Sequence, residues 1–204
     1  EAVRTHRWWA KPLTSAELDS LRSLAPYATG PELELAQSLL TGTPTGTLPL
    51  IEWVARYVPS YFEVAPSGFH HWLSAELSWL HLRRGTRLNI IAPRGAAKST
   101  WSTFAYPLYC ACHALEPYII LSSDTGMQAE KYLDAIRSEF EGNELLHADY
   151  PHLAGSGPVW RWDHVRLANG VVIEAVGTGT KLRGRRNRQH RPSLIIADDP
   201  QNTG

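Results

Sequence analysis

Three short, largely apolar runs limit the architectures open to this chain. They are Leu88–Ala92 (LNIIA), Tyr118–Ser122 (YIILS) and Leu194–Ala197 (LIIA). None alternates with polar residues, so each reads as a strand buried on both faces. Helical patterns separate them. Lys98 to about Ala114 and a segment capped by Asp124 or Thr125 through about Phe140 both suit helices. Buried strands alternating with helices imply an α/β domain with a mostly parallel sheet covered on both sides. Ligands in such sheets bind beyond the carboxyl ends of the strands. One antiparallel element is also expected. Asn169-Gly170 lies between Val165-Arg166-Leu167 and Val171-Val172-Ile173, a type I′ hairpin signal.

The region before this pattern is different. Thr14-Ser15-Ala16-Glu17 has the spacing of a capping box, with a helix to about Leu24. Pro31 suits the start of a helix through Leu40, Thr41–Thr47 is a loop, and Leu48–Val58 is a third helix. Residues 1–65 therefore read as a helical lobe, and 66–204 as the α/β domain. Ser67 can cap a helix to about Leu82, with Phe69, Trp72, Leu73, Leu77 and Leu80 as its apolar stripe. Phe69 and Trp72 are expected in packing, and His70 and His71 on a helix surface or packed rather than as ligands.

Composition excludes several classes. With 43% hydrophobic and 20% charged residues the 204-residue chain is not disordered. It has no run long enough to span a membrane and no signal-type N-terminus. It does not begin with Met, so it reads as a processed product or a fragment. Cys110 and Cys112 lie in an apolar stretch and read as reduced core residues of a cytosolic protein. The eight Trp read as packing residues. Net charge is zero, but Lys181–Arg191 (KLRGRRNRQHR) holds one Lys, five Arg and no acid. The run is either a solvated loop or a phosphate-facing one.

Two segments at strand ends carry chemistry. In Ala92-Pro93-Arg94-Gly95-Ala96-Ala97-Lys98-Ser99-Thr100 a turn joins the first expected strand to a helix. A phosphate loop needs this context: backbone N–H groups cradle phosphate oxygens, Lys98 reaches the β- and γ-phosphates, and Ser99 offers a hydroxyl to Mg²⁺. The match to G-x-x-x-x-G-K-[ST] is imperfect, since Ala92 and Ala97 replace both glycines. An Ala before the Lys must keep φ negative or carry strain. The second segment is Asp198-Asp199 at the end of the last strand. There one carboxylate can hold Mg²⁺ and the next can orient and deprotonate a water. Asp124 is either an N-cap or a functional acid.

These segments, in order, resemble the large terminase subunit of tailed bacteriophages, the motor that packages DNA. The resemblance rests on IIAPRGAAKST (90–100), YIILSSDTGMQAEKYLDAIRSEF (118–140), LANGVVIEAVGTGTKLRGRR (167–186) and RPSLIIADDP (191–200), with Phe69-His70 ahead of them. Arg94, four residues before Lys98, matches that family's variant loop. The resemblance implies a RecA-like P-loop ATPase that couples ATP hydrolysis to double-stranded DNA translocation. It implies Mg²⁺, a portal protein and a small subunit as partners, a homo-oligomeric ring, no membrane, and the cytoplasm of the infected bacterial host. Residue by residue, it implies phosphate binding by 93–100 (Pro93, Arg94, Gly95, Ala96, Ala97, Lys98, Ser99 and Thr100). Ser99 and Asp198 would hold the metal, Asp199 would be the catalytic acid where many members have Glu, and Arg94 would touch the γ-phosphate. Arg183 is the candidate arginine finger, with Arg185, Arg186 and Arg188 as rivals that could instead contact DNA. The family also carries a nuclease domain and a coupling strand after the acidic one, so the sequence reads as a motor lacking both. A RecA-like helicase or translocase, and a nucleotide-binding fragment without turnover, are the competing readings.

Overall fold

A computed structural model describes residues 19, 20, 23, 47–62, 64–82 and 85–200. Apart from positions 19, 20, 23 and 47, the features expected before Leu48 lie outside the described residues. The chain divides into two compact units, Glu1–Ala92 and Pro93–Gly204.

In the first unit, α1 spans Leu50–Tyr57 and buries Leu50, Trp53, Val54 and Tyr57. These fall at i, i+3, i+4 and i+7, one face of a helix. Glu52 in its first turn and Arg56 in its last complement the helix dipole. Helix α2, Gly68–Leu80, packs against α1. Ser67 caps it, and His70 closes the capping box by accepting the Ser67 N–H on Nδ1 at 3.0 Å. A His therefore takes the place usually held by Glu or Gln. The buried face of α2 is Leu73, Ser74, Leu77 and Ser78. Trp72 flanks that face and stays 47% exposed, which corrects its expected burial.

Leu88–Ala92 is extended but is not a strand, and Ile91 is 87% exposed. A strand exists through its ladder, and no described strand pairs with this segment.

In the second unit, Lys98 opens a helical stretch that runs as a π-helix over Thr100–Ala105 and continues as α3, Tyr106–Cys112. Pro107 explains the irregularity. Its ring would strike the Thr103 carbonyl in regular α geometry, and the wider π turn includes that residue. The helix ends with Ala114 at φ 51° and a Leu115 N–H bond to the Cys110 carbonyl. Cys110 and Cys112 are free and buried, and burial raises both thiols above their ordinary range.

The sheet contains β1 (Tyr118–Ser123), β2 (Val159–Trp160), β3 (His164–Arg166), β4 (Val172–Gly177) and β5 (Leu194–Asp198) in the order β2-β3-β4-β1-β5. It is mixed rather than mostly parallel. β1 runs parallel to β4 and β5, while β3 is antiparallel to both β2 and β4. The hairpin loop that joins β3 to β4 is too short for a parallel crossover. Its turn is not type I′. Gly170 alone has positive φ, 89°, and Leu167 and Val171 close a three-residue loop. The Asn169 side chain is spent elsewhere, accepting the Val171 N–H and donating to the Ala111 carbonyl.

Helix α4, Gly126–Gly142, is capped by Thr125 and packs on β1 and β4 through Ala129, Leu133, Ile136 and Phe140. Gly177 is required where β4 meets the start of α4, because a Cβ there would lie 2.8 Å from the Gly126 nitrogen. A short helix α5, Glu144–Asp149, follows. The other sheet face, with Tyr118, Ile120, Val172 and Val176, receives Leu182 from the basic loop. β5 lies at the sheet margin, with Ile195 52% exposed, so its expected burial on both faces does not hold.

Candidate functional site

Register decides where the acids point. Ser123 pairs with Asp198 across the parallel β1–β5 ladder, so their side chains share one face. Ser123 Oγ donates to the Asp198 carbonyl at 3.0 Å and fixes the strand end. The Asp198 carboxylate is 6% exposed and both its oxygens accept hydrogen bonds. Ser99 Oγ donates to Oδ1 at 2.7 Å, and the Tyr132 hydroxyl of α4 donates to Oδ2 at 2.8 Å. One residue on, Asp199 turns out of the strand at φ 43°, and its Oδ1 meets Lys98 Nζ at 3.3 Å. The two segments singled out in the sequence are thus joined by two side-chain contacts between residues 99 and 101 positions apart.

The turn preceding Lys98 is formed by Pro93, Arg94, Gly95 and Ala96, closed by the Ala96 N–H on the Pro93 carbonyl. Gly95 has φ 85° and Ala97 φ 50°. Ala97 therefore carries the strain that an Ala before the lysine invites. A left-handed Ala costs about 1–2 kcal/mol. A glycine would remove that strain but lose about 0.5–1 kcal/mol to greater freedom of the unfolded chain. Ala97→Gly is expected to raise stability by up to about 1.5 kcal/mol in urea titration, as the difference of these terms.

Thr100 begins the π-helix, half-buried. Arg94 and Arg183 are exposed, and no hydrogen bond or ion pair among the described residues brings either to the Lys98–Asp199 pair. Arg185 has a defined place away from it. It pairs with Glu174 on β4, which also accepts from the Tyr118 hydroxyl, so this arginine pins the basic loop to the sheet. Arg186 and Arg188 remain exposed. Asp124 does not cap α4, since Thr125 does, and its Oδ1 is buried with no hydrogen-bond partner.

Tyr132 is the residue that sequence reasoning missed. Its signal was available: it lies seven residues after the Thr125 cap, beside the buried stripe of a helix that starts at the carboxyl end of β1. Burial raises its phenol above the ordinary range, and the bond to Asp198 raises it further, so it is a neutral donor.

The donor set suits a hard divalent cation. A hydroxyl and a carboxylate oxygen 2.7 Å apart are oxygen ligands of the kind Mg²⁺ takes. Ser99 spends its proton on Asp198 and leaves its lone pairs available. No group of three or more His, Cys, Asp or Glu that could hold a metal occurs among the described residues. No described helix is long and apolar enough to cross a membrane. No known protein family, curated protein sequence or solved structure matches the chain.

Proposed function

We propose that the chain is the ATPase part of a viral terminase large subunit, hydrolysing ATP with Mg²⁺ to drive double-stranded DNA into a procapsid. The observation that carries this reading is the meeting of Lys98 and Ser99 with Asp199 and Asp198 at one end of β5. A RecA-like P-loop arrangement would use these four side chains in this pairing.

In the proposed reaction Lys98 donates to the β- and γ-phosphate oxygens and neutralises charge as the bond to the γ-phosphorus breaks. Ser99 and Asp198 would hold the metal, which would supply positive charge against the phosphates when bound. Asp199, released from Lys98 by the incoming phosphate, accepts the proton of the attacking water. The water oxygen bonds to the γ-phosphorus and ADP leaves. Asp199 is 85% exposed, and because its side chain is one methylene shorter than that of Glu the attacking water would sit closer to the strand end. Arg94, exposed on the loop, would touch the γ-phosphate. Arg183, or Arg186 or Arg188, would serve as a finger on a neighbouring copy in a ring or contact DNA phosphates. The portal protein, the small subunit and the host cytoplasm belong to the same reading.

A nucleotide-binding role without turnover is favoured by one feature, the engagement of Asp199 with Lys98. Thermal melting tests the shared part. MgATP and MgADP at a hundred times Kd are expected to stabilise by about 2.7 kcal/mol, several degrees in Tm, and AMP far less. No shift with MgATP overturns the proposal. A shift without phosphate release in the presence of duplex DNA leaves the binding-only role. DNA-stimulated turnover that separates strands would instead identify a helicase.

A further inference from the structure

We propose that Tyr132 is a positioning residue for the metal site, holding Asp198 in the one orientation that keeps Oδ1 on Ser99 for a small octahedral cation. The inference rests on the nucleotide-binding reading above and deepens it. Asp198 would otherwise rotate about its own side-chain bonds, since a carboxylate has two equivalent oxygens. Here each oxygen has a different donor: Ser99 at 2.7 Å on Oδ1, and Tyr132 at 2.8 Å on Oδ2. The backbone beneath is fixed independently by Ser123. Tyr132 engages the oxygen that Ser99 does not, and among the described contacts this distinguishes the two. The donor is well anchored. It projects from α4, whose buried stripe packs on β1 and β4, and β1 in turn pairs with the β5 strand that carries Asp198. Each oxygen keeps a lone pair after one hydrogen bond, so Tyr132 orients the acid without displacing a cation from Oδ1.

The consequence is selective. Mg²⁺ demands near-ideal octahedral geometry, while Ca²⁺ accepts irregular ligand sets. Loss of the tyrosine hydroxyl should therefore harm Mg²⁺ more than Ca²⁺. The experiment measures binding of a fluorescent N-methylanthraniloyl ATP to the full chain while Mg²⁺ or Ca²⁺ is titrated, in wild type and Tyr132→Phe. The expected result is a Mg²⁺ half-saturation raised about tenfold in the variant, the scale for losing a partner of a metal ligand. The Ca²⁺ value should rise less than about threefold, and nucleotide affinity in chelator should not change. An unchanged Mg²⁺ half-saturation overturns the proposal. Parallel losses for both cations, with or without a lower Tm, make Tyr132 a packing residue and also overturn it. A wild-type chain whose nucleotide binding responds to neither cation defeats the ATPase reading itself, and the role of Tyr132 falls with it.

Discussion

Replacing Lys98 by alanine is expected to lower ATP turnover by roughly 10²–10³-fold, the scale for removing one preorganised donor to developing charge. Binding of MgATP should weaken as well. A hydrogen bond from a charged group contributes about 2 kcal/mol, which is roughly thirtyfold in Kd. Stability should hardly change. Among the described residues Lys98 pairs with Asp199, which is 85% exposed, and pairs so open to solvent contribute below about 1 kcal/mol. This separation is the useful feature of the experiment. Fluorescence titration reads the nucleotide, phosphate release reads turnover, and urea denaturation reads the fold. A variant that binds MgATP as wild type does would remove Lys98 from the phosphate site.

Gly157→Ala is expected to cost about 3 kcal/mol of stability, the upper range for forcing atoms into a packed position. A Cβ at 157 would overlap the Arg166 carbonyl oxygen and lie 3.1 Å from the Leu167 Cα. Both obstacles are backbone, so no side chain can swing aside. The contact lies where the chain enters β2, two residues before Val159 pairs with Arg166. Relief therefore requires the β2–β3 ladder to shift. Ala also restricts the unfolded chain, which returns only about 0.4–1 kcal/mol. Gly142→Ala is the control. It ends α4 with nothing within 4 Å of its added Cβ, so it should be neutral or slightly stabilising. The urea midpoint by circular dichroism reads both. A Gly157→Ala midpoint equal to wild type would show that the strand entry can relax.

Much of the second unit was legible in residue order. YIILS and LIIA are strands, Thr125 starts the helix after the first, and the Asn169-Gly170 hairpin exists. Lys98, Ser99, Asp198 and Asp199 do come together. What escaped the sequence is what depends on neighbours. LNIIA has the composition of a buried strand, yet a strand needs a ladder partner and this one has none among the described residues. The turn type failed because the Asn169 amide bonds Val171 and Ala111, a choice no dipeptide rule contains. Arg185 looked interchangeable with its neighbours in a basic run. Only the fold brings Glu174 beneath it. The helix position of Tyr132 is legible in the sequence, but its partner, 66 positions away, emerges only in the fold.

The margin of the sheet at β5 has a practical outcome in the test tube. Among the described residues no strand pairs with its outer edge, and Ile195 is 52% exposed, so it is a template on which a second molecule can lay its own backbone. Light scattering of the purified chain should therefore grow with concentration faster than for a sheet with guarded ends, and a lysine at position 195 should suppress that growth.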